Sequence, residues 1–141
     1  MLLYDLLRDS GAQWGVGWVH NDELDIVGLP HSVRLAMERA VGRFNSEDCE
    51  VIIDGNINYL KDLTHSRAII KADLSIAAVS AASIIAKVTR DVYMQGMNVH
   101  YPGYGFDSHV GYGTAKHQAA LRSQGVTALH RRTFCPIREL L

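Results

Sequence analysis

Apolar positions recur with helical spacing in some stretches of this chain and as short continuous runs in others. Leucines at helical spacing in LLYDLLRD predict a first helix, which Gly11 ends. The stretch IAAVSAASIIAKVTRDVYMQGM, residues 76–97, has no proline and one glycine near its end, and it predicts a long helix packed on a sheet. TAKHQAALRSQG predicts a further helix, with Thr114 as its N-cap and Gly125 as its stop.

The shorter apolar runs predict strands. CEVIIDG (49–55) and SRAIIK (66–71) are typical of buried strands, and AQWGVGWV (12–19) is aromatic and β-branched enough to predict a third. NDELDIVGLPHSV (21–33) is predicted as a loop that leads through Pro30 into the helix SVRLAMERAVGRF. Because strands alternate with helices, the sequence predicts an α/β layered domain. Two strands buried on both faces should also have a further strand beside them.

Length and composition restrict the class of protein. A chain of 141 residues fits one domain, and 48% hydrophobic with 21% charged residues indicates a folded chain. No apolar run approaches the roughly 20 residues of a membrane span, and the N-terminus lacks the basic lead of a signal peptide. Cys49 and Cys135 are far apart and form no CxxC pattern. We therefore expect free thiols in a cytoplasmic protein.

The net charge of −1 hides an asymmetry between the two halves of the chain. Residues 1–75 hold seven Lys and Arg against twelve Asp and Glu, whereas residues 76–141 hold seven against three. The C-terminal half ends in a basic tail that we predict to be irregular around Pro136. A basic half permits a phosphate-bearing partner, and a solvated surface explains it equally well.

Two aspartates directly follow the predicted buried strands. Asp54 ends VIID and Asp73 follows AIIKA. A turn residue in Asp-Gly and a helix-start residue are the simple interpretations of Asp54 and Asp73 respectively. If the two strands are parallel neighbours, both carboxylates lie at the same sheet edge, where a divalent cation would relieve their repulsion. Asp91, inside the long helix and four residues after Lys87, is better interpreted as part of a salt-bridged helix face.

A glycine-rich loop carries the aromatic residues of the C-terminal half. YPGYGFDSHVGYGT places tyrosines and a phenylalanine among glycines, and the basic residues Lys116, His130, Arg131 and Arg132 follow it. Tyrosine stacks on sugars and bases and arginine binds phosphate, although some of these aromatics should simply pack on the core. Tyr112, between two glycines, is the best candidate to face a ligand. The chain has no HExxH, GxSxG or phosphate-loop motif, so nothing supports zinc or covalent catalysis.

Five stretches together resemble one family. VIIDGN, SAASIIAKVTRD, YPGYGF, HVGYGTAKH and HRRTF are similar, in this order, to motifs of the type 2 ribonucleases H, and specifically of bacterial ribonuclease HII. The resemblance implies an α/β RNase H-like fold, here an N-terminally truncated mixed sheet flanked by helices with a C-terminal helical segment. It also implies a monomeric endonuclease that uses Mn²⁺ or Mg²⁺. The implied substrates are RNA–DNA hybrids and ribonucleotides embedded in duplex DNA, cut to leave a 5′-phosphate and a 3′-hydroxyl.

The resemblance also assigns roles to individual residues. Asp54 matches a catalytic, metal-binding aspartate, and Asp73 matches the aspartate of a Gly-Asp pair whose glycine is Ala72 here. Tyr112 matches the tyrosine that packs on the sugar at the junction. Lys87, Arg131 and Arg132 are the further substrate-binding residues that we expect.

One family motif has no counterpart in this sequence. The family has four active-site carboxylates, two of which belong to a DEAGRG-like stretch on its first strand, and no such stretch occurs here. We therefore expect an incomplete enzyme with exposed strand edges and a tendency to self-associate. The alternatives are an active ribonuclease HII whose sequence starts too late and a truncated, inactive nucleic-acid-binding remnant. A small-molecule metallohydrolase is a third reading, against which the tyrosine loop and HRR tail argue.

Overall fold

A computed structural model describes residues 2–44 and 49–141 of the chain. Helices and two strands follow one another in a mixed order, which confirms the α/β class. The elements are α1 (Leu2–Asp9), α2 (Asn21–Val27), α3 (Leu29–Val41), β1 (Val51–Asp54), β2 (Ser66–Ile69), a 3₁₀ helix (Ala72–Leu74), α4 (Ala77–His100), α5 (Phe106–His109), α6 (Ala115–Gln124) and α7 (Cys135–Arg138).

The chain forms two compact units, Met1–Lys87 and Val88–Leu141. We call them the N-terminal unit and the C-terminal unit, and each is described by itself. The expectation of one domain stays a prediction. None of the helices in the described ranges is long and apolar enough to cross a membrane.

The sheet lies in the N-terminal unit and consists of two parallel strands. Their register sets Val51 opposite Ser66 and Asp54 opposite Ile69, which confirms that the two apolar runs are parallel neighbours. Asn58 closes the connection between them, since its amide donates to the Ser66 carbonyl at 3.1 Å. Within residues 2–44 and 49–141 the sheet has no further strand, so the expected neighbouring strand is not found there.

The prediction of a strand at residues 12–19 is wrong. This segment is irregular and packs against α3 through its glycines. A Cβ on Gly17 would lie 1.8 Å from the Ala36 carbonyl oxygen, and one on Gly15 would lie 2.8 Å from the Ala40 carbonyl oxygen. The glycines therefore bring backbone close to a helix, a use that strand propensity does not reveal.

The prediction of a loop at residues 21–33 is also wrong, because α2 occupies its first half. Acidic residues in the first turn of α2 favour that helix through the helix dipole. Arg39 on α3 donates to both carboxylate oxygens of Glu23 at 2.9 and 2.8 Å, and also to the Trp18 carbonyl. A contact between residues 16 positions apart thus stabilises α2. Pro30 lies in the first turn of α3, as expected near a helix start.

The C-terminal unit packs around Phe106, which is 1% exposed. The long helix and the Thr114-capped helix are confirmed as α4 and α6, and the Thr114 hydroxyl accepts the His117 N–H at 3.3 Å. The tail is not irregular throughout, because α7 forms with Pro136 in its first turn, where the fixed φ of proline favours a helix. The buried side chain of Ile137 anchors α7 to the Phe106 core.

Several apolar side chains near the sheet are exposed. Ile57, Ile70 and Leu74 are 51%, 69% and 78% exposed. This exposure supports the expected self-association, which stays a prediction. Cys49 and Cys135 are exposed and unpaired, which confirms the expectation of free thiols.

Candidate functional site

Asp54 ends β1 at the carboxyl-terminal edge of the sheet. It lies opposite Ile69, whose carbonyl accepts the N–H of Gly55 at 3.0 Å, so the pairing continues beyond the aspartate. The hydrophobic residue before it, Ile53, is buried, whereas Asp54 itself is exposed. The strand thus ends in a solvent-accessible carboxylate directly after its one buried residue, Ile53.

The Asp54 carboxylate is held in place by the segment that follows β2. Its Oδ1 accepts the backbone N–H of Ala72 at 2.9 Å. Lys71 adopts the left-handed conformation, with φ 57°, which turns the chain out of β2 before this N–H donates. Ala72 is completely buried, so its methyl group fills space inside the unit. A non-glycine residue in this conformation costs on the order of 1 kcal/mol, so the surrounding contacts determine the turn.

Asp73 is the next residue along the chain, in the first turn of the 3₁₀ helix, and it is half-buried. Since the N–H of Ala72 donates to Asp54, the backbone that carries Asp73 lies directly beside the end of β1. The structure therefore brings Asp54 and Asp73 to the same edge of the parallel sheet, as the sequence pattern predicts.

In the C-terminal unit, Tyr112 lies on a turn with its side chain 65% exposed. Val110 and Gly111 both have positive φ, at 44° and 86°. A β-branched residue is rare in this region of backbone space, so the turn stores strain that neighbouring contacts must offset. Arg90 on α4 lies over the tyrosine ring, with Cζ 5.0 Å from its centroid. The ring thus combines an exposed face with a fixed cation.

Sequence reasoning missed the role of Arg90. The expected salt-bridged helix face is present, since Arg90 Nη1 lies 3.3 Å from Asp91 Oδ1. The contact with Tyr112 joins residues 22 positions apart, so no local sequence pattern predicts it.

The other aromatic residues of the glycine-rich loop divide between core and surface. Tyr104 and Phe106 are buried and stack with ring centroids 5.5 Å apart, which confirms that some of these aromatics pack on the core. The Tyr104 hydroxyl donates to the Gly125 carbonyl at 2.8 Å, and burial raises the pKa of this phenol. Tyr112 is the loop aromatic that remains available for a ligand.

Three histidines form a buried cluster beneath the Tyr112 turn, and the sequence pattern did not reveal it. His109, His117 and His130 are 7%, 5% and 7% exposed. The rings of His109 and His117 stack with centroids 4.5 Å apart, and the Nε2 atoms of His117 and His130 lie 3.0 Å apart. Burial is the main cause that lowers the pKa of both His117 and His130. The only signal in the sequence was the number of histidines in HVGYGTAKH and HRR.

The predicted basic residues occupy different positions. Lys87 is exposed on α4, and Arg132 is exposed after the His130 turn. Arg131 lies over the Phe134 ring, with Cζ 4.4 Å from its centroid. Phosphate binding by these three side chains stays a prediction.

A family model described as ribonuclease HII matches residues 12–137. The chain belongs to the ribonuclease HII family. This finding confirms the resemblance carried by the five motifs. It identifies a nuclease whose family acts on RNA–DNA. All six residues with predicted roles lie inside the matched region, and their individual roles stay predictions.

Ribonucleases HII generally use divalent metal ions, and the donors at the sheet edge have the chemistry for one. Asp54 and Asp73 offer hard oxygen ligands, and Mg²⁺ is commonly held by one or two carboxylates together with water and substrate phosphate. Across residues 2–44 and 49–141 no group of three or more His, Cys, Asp or Glu side chains could hold a metal. Asp54 and Asp73 are thus two oxygen donors that such an ion could take, and metal binding by them stays a prediction.

Proposed function

We propose that this chain is an endonuclease that cuts the RNA strand of RNA–DNA hybrids and cuts duplex DNA at embedded ribonucleotides. The products are a 5′-phosphate and a 3′-hydroxyl. One observation carries the proposal: Asp54 ends β1 at the carboxyl-terminal edge of a parallel sheet and accepts the N–H of Ala72, the residue before Asp73, inside the region that matches ribonuclease HII. A pair of carboxylates at such an edge is the arrangement that divalent-metal nucleases need.

Asp54 and Asp73 are the proposed catalytic ligands for Mn²⁺ or Mg²⁺. A divalent cation bound there supplies positive charge that stabilises the phosphorane-like transition state of phosphodiester hydrolysis. The hydrogen bond from Ala72 orients the Asp54 carboxylate before any ligand arrives. Two-metal-ion hydrolysis is the proposed mechanism, and a second ion needs oxygen donors beyond these two side chains.

Tyr112 is the proposed contact for the sugar at the RNA–DNA junction. Its exposed ring gives a stacking surface, and Arg90 holds it from one side. Lys87, Arg131 and Arg132 are the proposed phosphate contacts, because cationic side chains neutralise backbone phosphates without regard to sequence. Tyr112 is therefore the proposed contact that recognises the junction, and the cations bind the phosphates of any duplex.

The test is cleavage of a labelled DNA duplex that contains one ribonucleotide, with Mg²⁺ or Mn²⁺, by the wild-type chain and by Asp54→Asn. We expect cleavage at the ribonucleotide by the wild type, none of an all-DNA duplex, and a loss of at least about 100-fold in Asp54→Asn. EDTA should abolish the reaction. Ligation of the downstream product without prior phosphorylation would identify its 5′-phosphate.

Asp62→Asn is the matched control, because Asp62 is an exposed carboxylate of the same unit that pairs with Arg34 at 2.7 Å. It should cleave like the wild type. An Asp54→Asn chain with undiminished cleavage would refute the ligand assignment. Duplex binding without cleavage by a folded wild-type chain would favour the alternative function, a nucleic-acid-binding remnant of the same family.

We also propose that the protein works in the cytoplasm and that this chain self-associates through the exposed apolar residues near the sheet, whereas the resemblance implies a monomer for the family. Both cysteines are free and exposed, which suits a reducing compartment. Sedimentation velocity tests the oligomeric state: a dimer or larger species is expected, and a single monomeric species would overturn the self-association.

A further inference from the structure

The hydrogen-bond partners of the three buried histidines define where each ring proton lies. His117 Nδ1 lies 3.0 Å from the Tyr112 carbonyl oxygen, and a carbonyl can only accept, so this nitrogen carries the proton. His130 Nδ1 accepts the backbone N–H of Thr127 at 3.1 Å, and the Thr127 hydroxyl, 2.8 Å from the same nitrogen, can also donate to it, so the ring proton lies on Nε2. That proton is donated to His117 Nε2 at 3.0 Å. The two rings therefore form a directional chain that ends on the Tyr112 backbone.

His109 holds the other side of the same turn. Its Nδ1 accepts the N–H of Gly111 at 3.2 Å, so its proton lies on Nε2, which donates to the Tyr104 carbonyl at 2.7 Å. Its own carbonyl accepts the N–H of Tyr112 at 2.8 Å. Gly111, in the strained Val110–Gly111 pair, and Tyr112 after it are thus hydrogen-bonded to the buried rings of His109 and His117 respectively.

The rings of His109 and His117 satisfy their hydrogen-bond partners only in the neutral form. A second proton on His117 would place two N–H groups against each other across the 3.0 Å contact with His130. A second proton on His109 would oppose the N–H of Gly111. One on His130 Nδ1 would oppose the N–H of Thr127, although the Thr127 hydroxyl at 2.8 Å could accept it. Protonation of His109 or His117 therefore removes one hydrogen bond from the turn or from the chain that holds it.

We propose that His109, His117 and His130 are positioning residues, a relay of neutral imidazoles that fixes the turn of Tyr112 and so tightens binding of a ribonucleotide-containing duplex. The proposal rests on the proposed contact between Tyr112 and the duplex. Burial lowers the pKa of His117 and His130, in agreement with the neutral forms. The relay acts through Tyr112 and does not itself touch the substrate.

Other charged or titratable groups surround the relay. A Cβ placed on Gly105 would lie 3.0 Å from Lys116 Nζ and 3.3 Å from His109 Nε2. The ammonium group of Lys116 therefore lies near the His109 ring. The Tyr104 ring lies 5.8 Å from His130, and Arg90 covers the Tyr112 ring.

The test measures binding of a fluorescent DNA duplex with one ribonucleotide in EDTA, at pH 7.5, to the full chain and to matched variants. His130→Gln keeps an N–H near the position of Nε2, whereas His130→Asn keeps only an acceptor near Nδ1. We expect His130→Gln to bind within about two-fold of wild type and His130→Asn to bind roughly three- to ten-fold more weakly, as for one lost hydrogen bond. In a Tyr112→Ala background the two substitutions should be equivalent.

A second readout needs no substrate. Nitrogen NMR of ¹⁵N-histidine-labelled wild-type chain reports the protonated nitrogen of each ring. We expect the proton on Nδ1 of His117 and on Nε2 of both His109 and His130.

The outcomes separate the relay from the proposed function. A wild-type chain that does not bind the duplex overturns the substrate contact and the binding role together. A chain that binds the duplex but carries the His117 proton on Nε2 overturns the relay alone. So does a His130→Asn chain that loses affinity equally with and without Tyr112, since that result indicates a general structural defect.

Discussion

Asp54 Oδ1 accepts the backbone N–H of Ala72 at 2.9 Å, which joins the end of β1 to the segment that carries Asp73. Among the described residues, the Asp54 carboxylate makes no second hydrogen bond. Its other oxygen, Oδ2, can therefore bind a ligand. One contact thus orients the first proposed metal ligand and sets the position of the second.

This geometry predicts that the fold and the chemistry at Asp54 can be separated. Asp54→Asn keeps an oxygen to accept the Ala72 N–H, whereas Asp54→Ala does not. We expect Asn to change the free energy of unfolding by less than about 0.5 kcal/mol and Ala to lower it by about 1 kcal/mol, while both abolish cleavage. Urea denaturation measures the first effect and the ribonucleotide-duplex assay the second. Equal destabilisation by the two variants would contradict the orienting role of this bond.

The Tyr112 ring and the Arg90 guanidinium should act as one unit. Tyr112→Phe keeps the ring and should bind the ribonucleotide duplex within about three-fold of wild type, whereas Tyr112→Ala loses stacking worth about 1–3 kcal/mol. Arg90→Ala should weaken binding by roughly two- to five-fold, the range for an exposed cation–π contact. In fluorescence anisotropy the double variant should bind no more weakly than Tyr112→Ala. Additive losses would show that Arg90 contacts the duplex independently.

The sequence predicts those parts of the fold and site that depend on residues within a single helix or strand. Asp54 follows an apolar run, and its position at the end of β1 follows from strand length and the Asp-Gly pair. Thr114 and Gly125 bound α6 because capping acts over three or four residues. The two strands follow from their apolar, β-branched runs, but the predicted burial on both faces is wrong, because only Ile53 of their eight residues is buried.

The parts that were missed depend on contacts between distant residues. The segment 12–19 has strand composition, yet Gly15 and Gly17 let it approach the backbone of α3 instead. Arg39 and Glu23 stabilise α2 although they are 16 positions apart. Helix propensity is a property of single residues and does not include such a pair. The histidine relay is a third case, because proton positions follow only from partners that the fold brings together.

The close approach of Gly17 to α3 gives a stability prediction that uses no substrate. A Cβ at this position would overlap the Ala36 carbonyl oxygen, so Gly17→Ala should destabilise the chain by roughly 1–3 kcal/mol. Gly96, within α4, has nothing within 4 Å of its Cβ position. Gly96→Ala should therefore stabilise the chain by about 0.5–1 kcal/mol. Thermal unfolding compares the two variants, and a stabilising Gly17→Ala would refute the packing of residues 12–19 on α3.

Acidification should weaken the C-terminal unit through the histidine relay. Burial lowers the pKa of His117 and His130 below the ordinary 6.5, so unfolding is accompanied by proton uptake as the pH falls. The stabilising contribution of the neutral rings is complete above pH 6.5 and is lost progressively below it, toward the lowered pKa values of the folded state. We expect the free energy of unfolding in urea to fall more steeply between pH 6.5 and 5.5 for the wild type than for His130→Gln. His31→Gln, at an exposed position, is the matched control and should follow the wild type. A His130→Gln curve parallel to that of the wild type would show that the pH dependence arises elsewhere, because aspartates and glutamates titrate mainly below about pH 5.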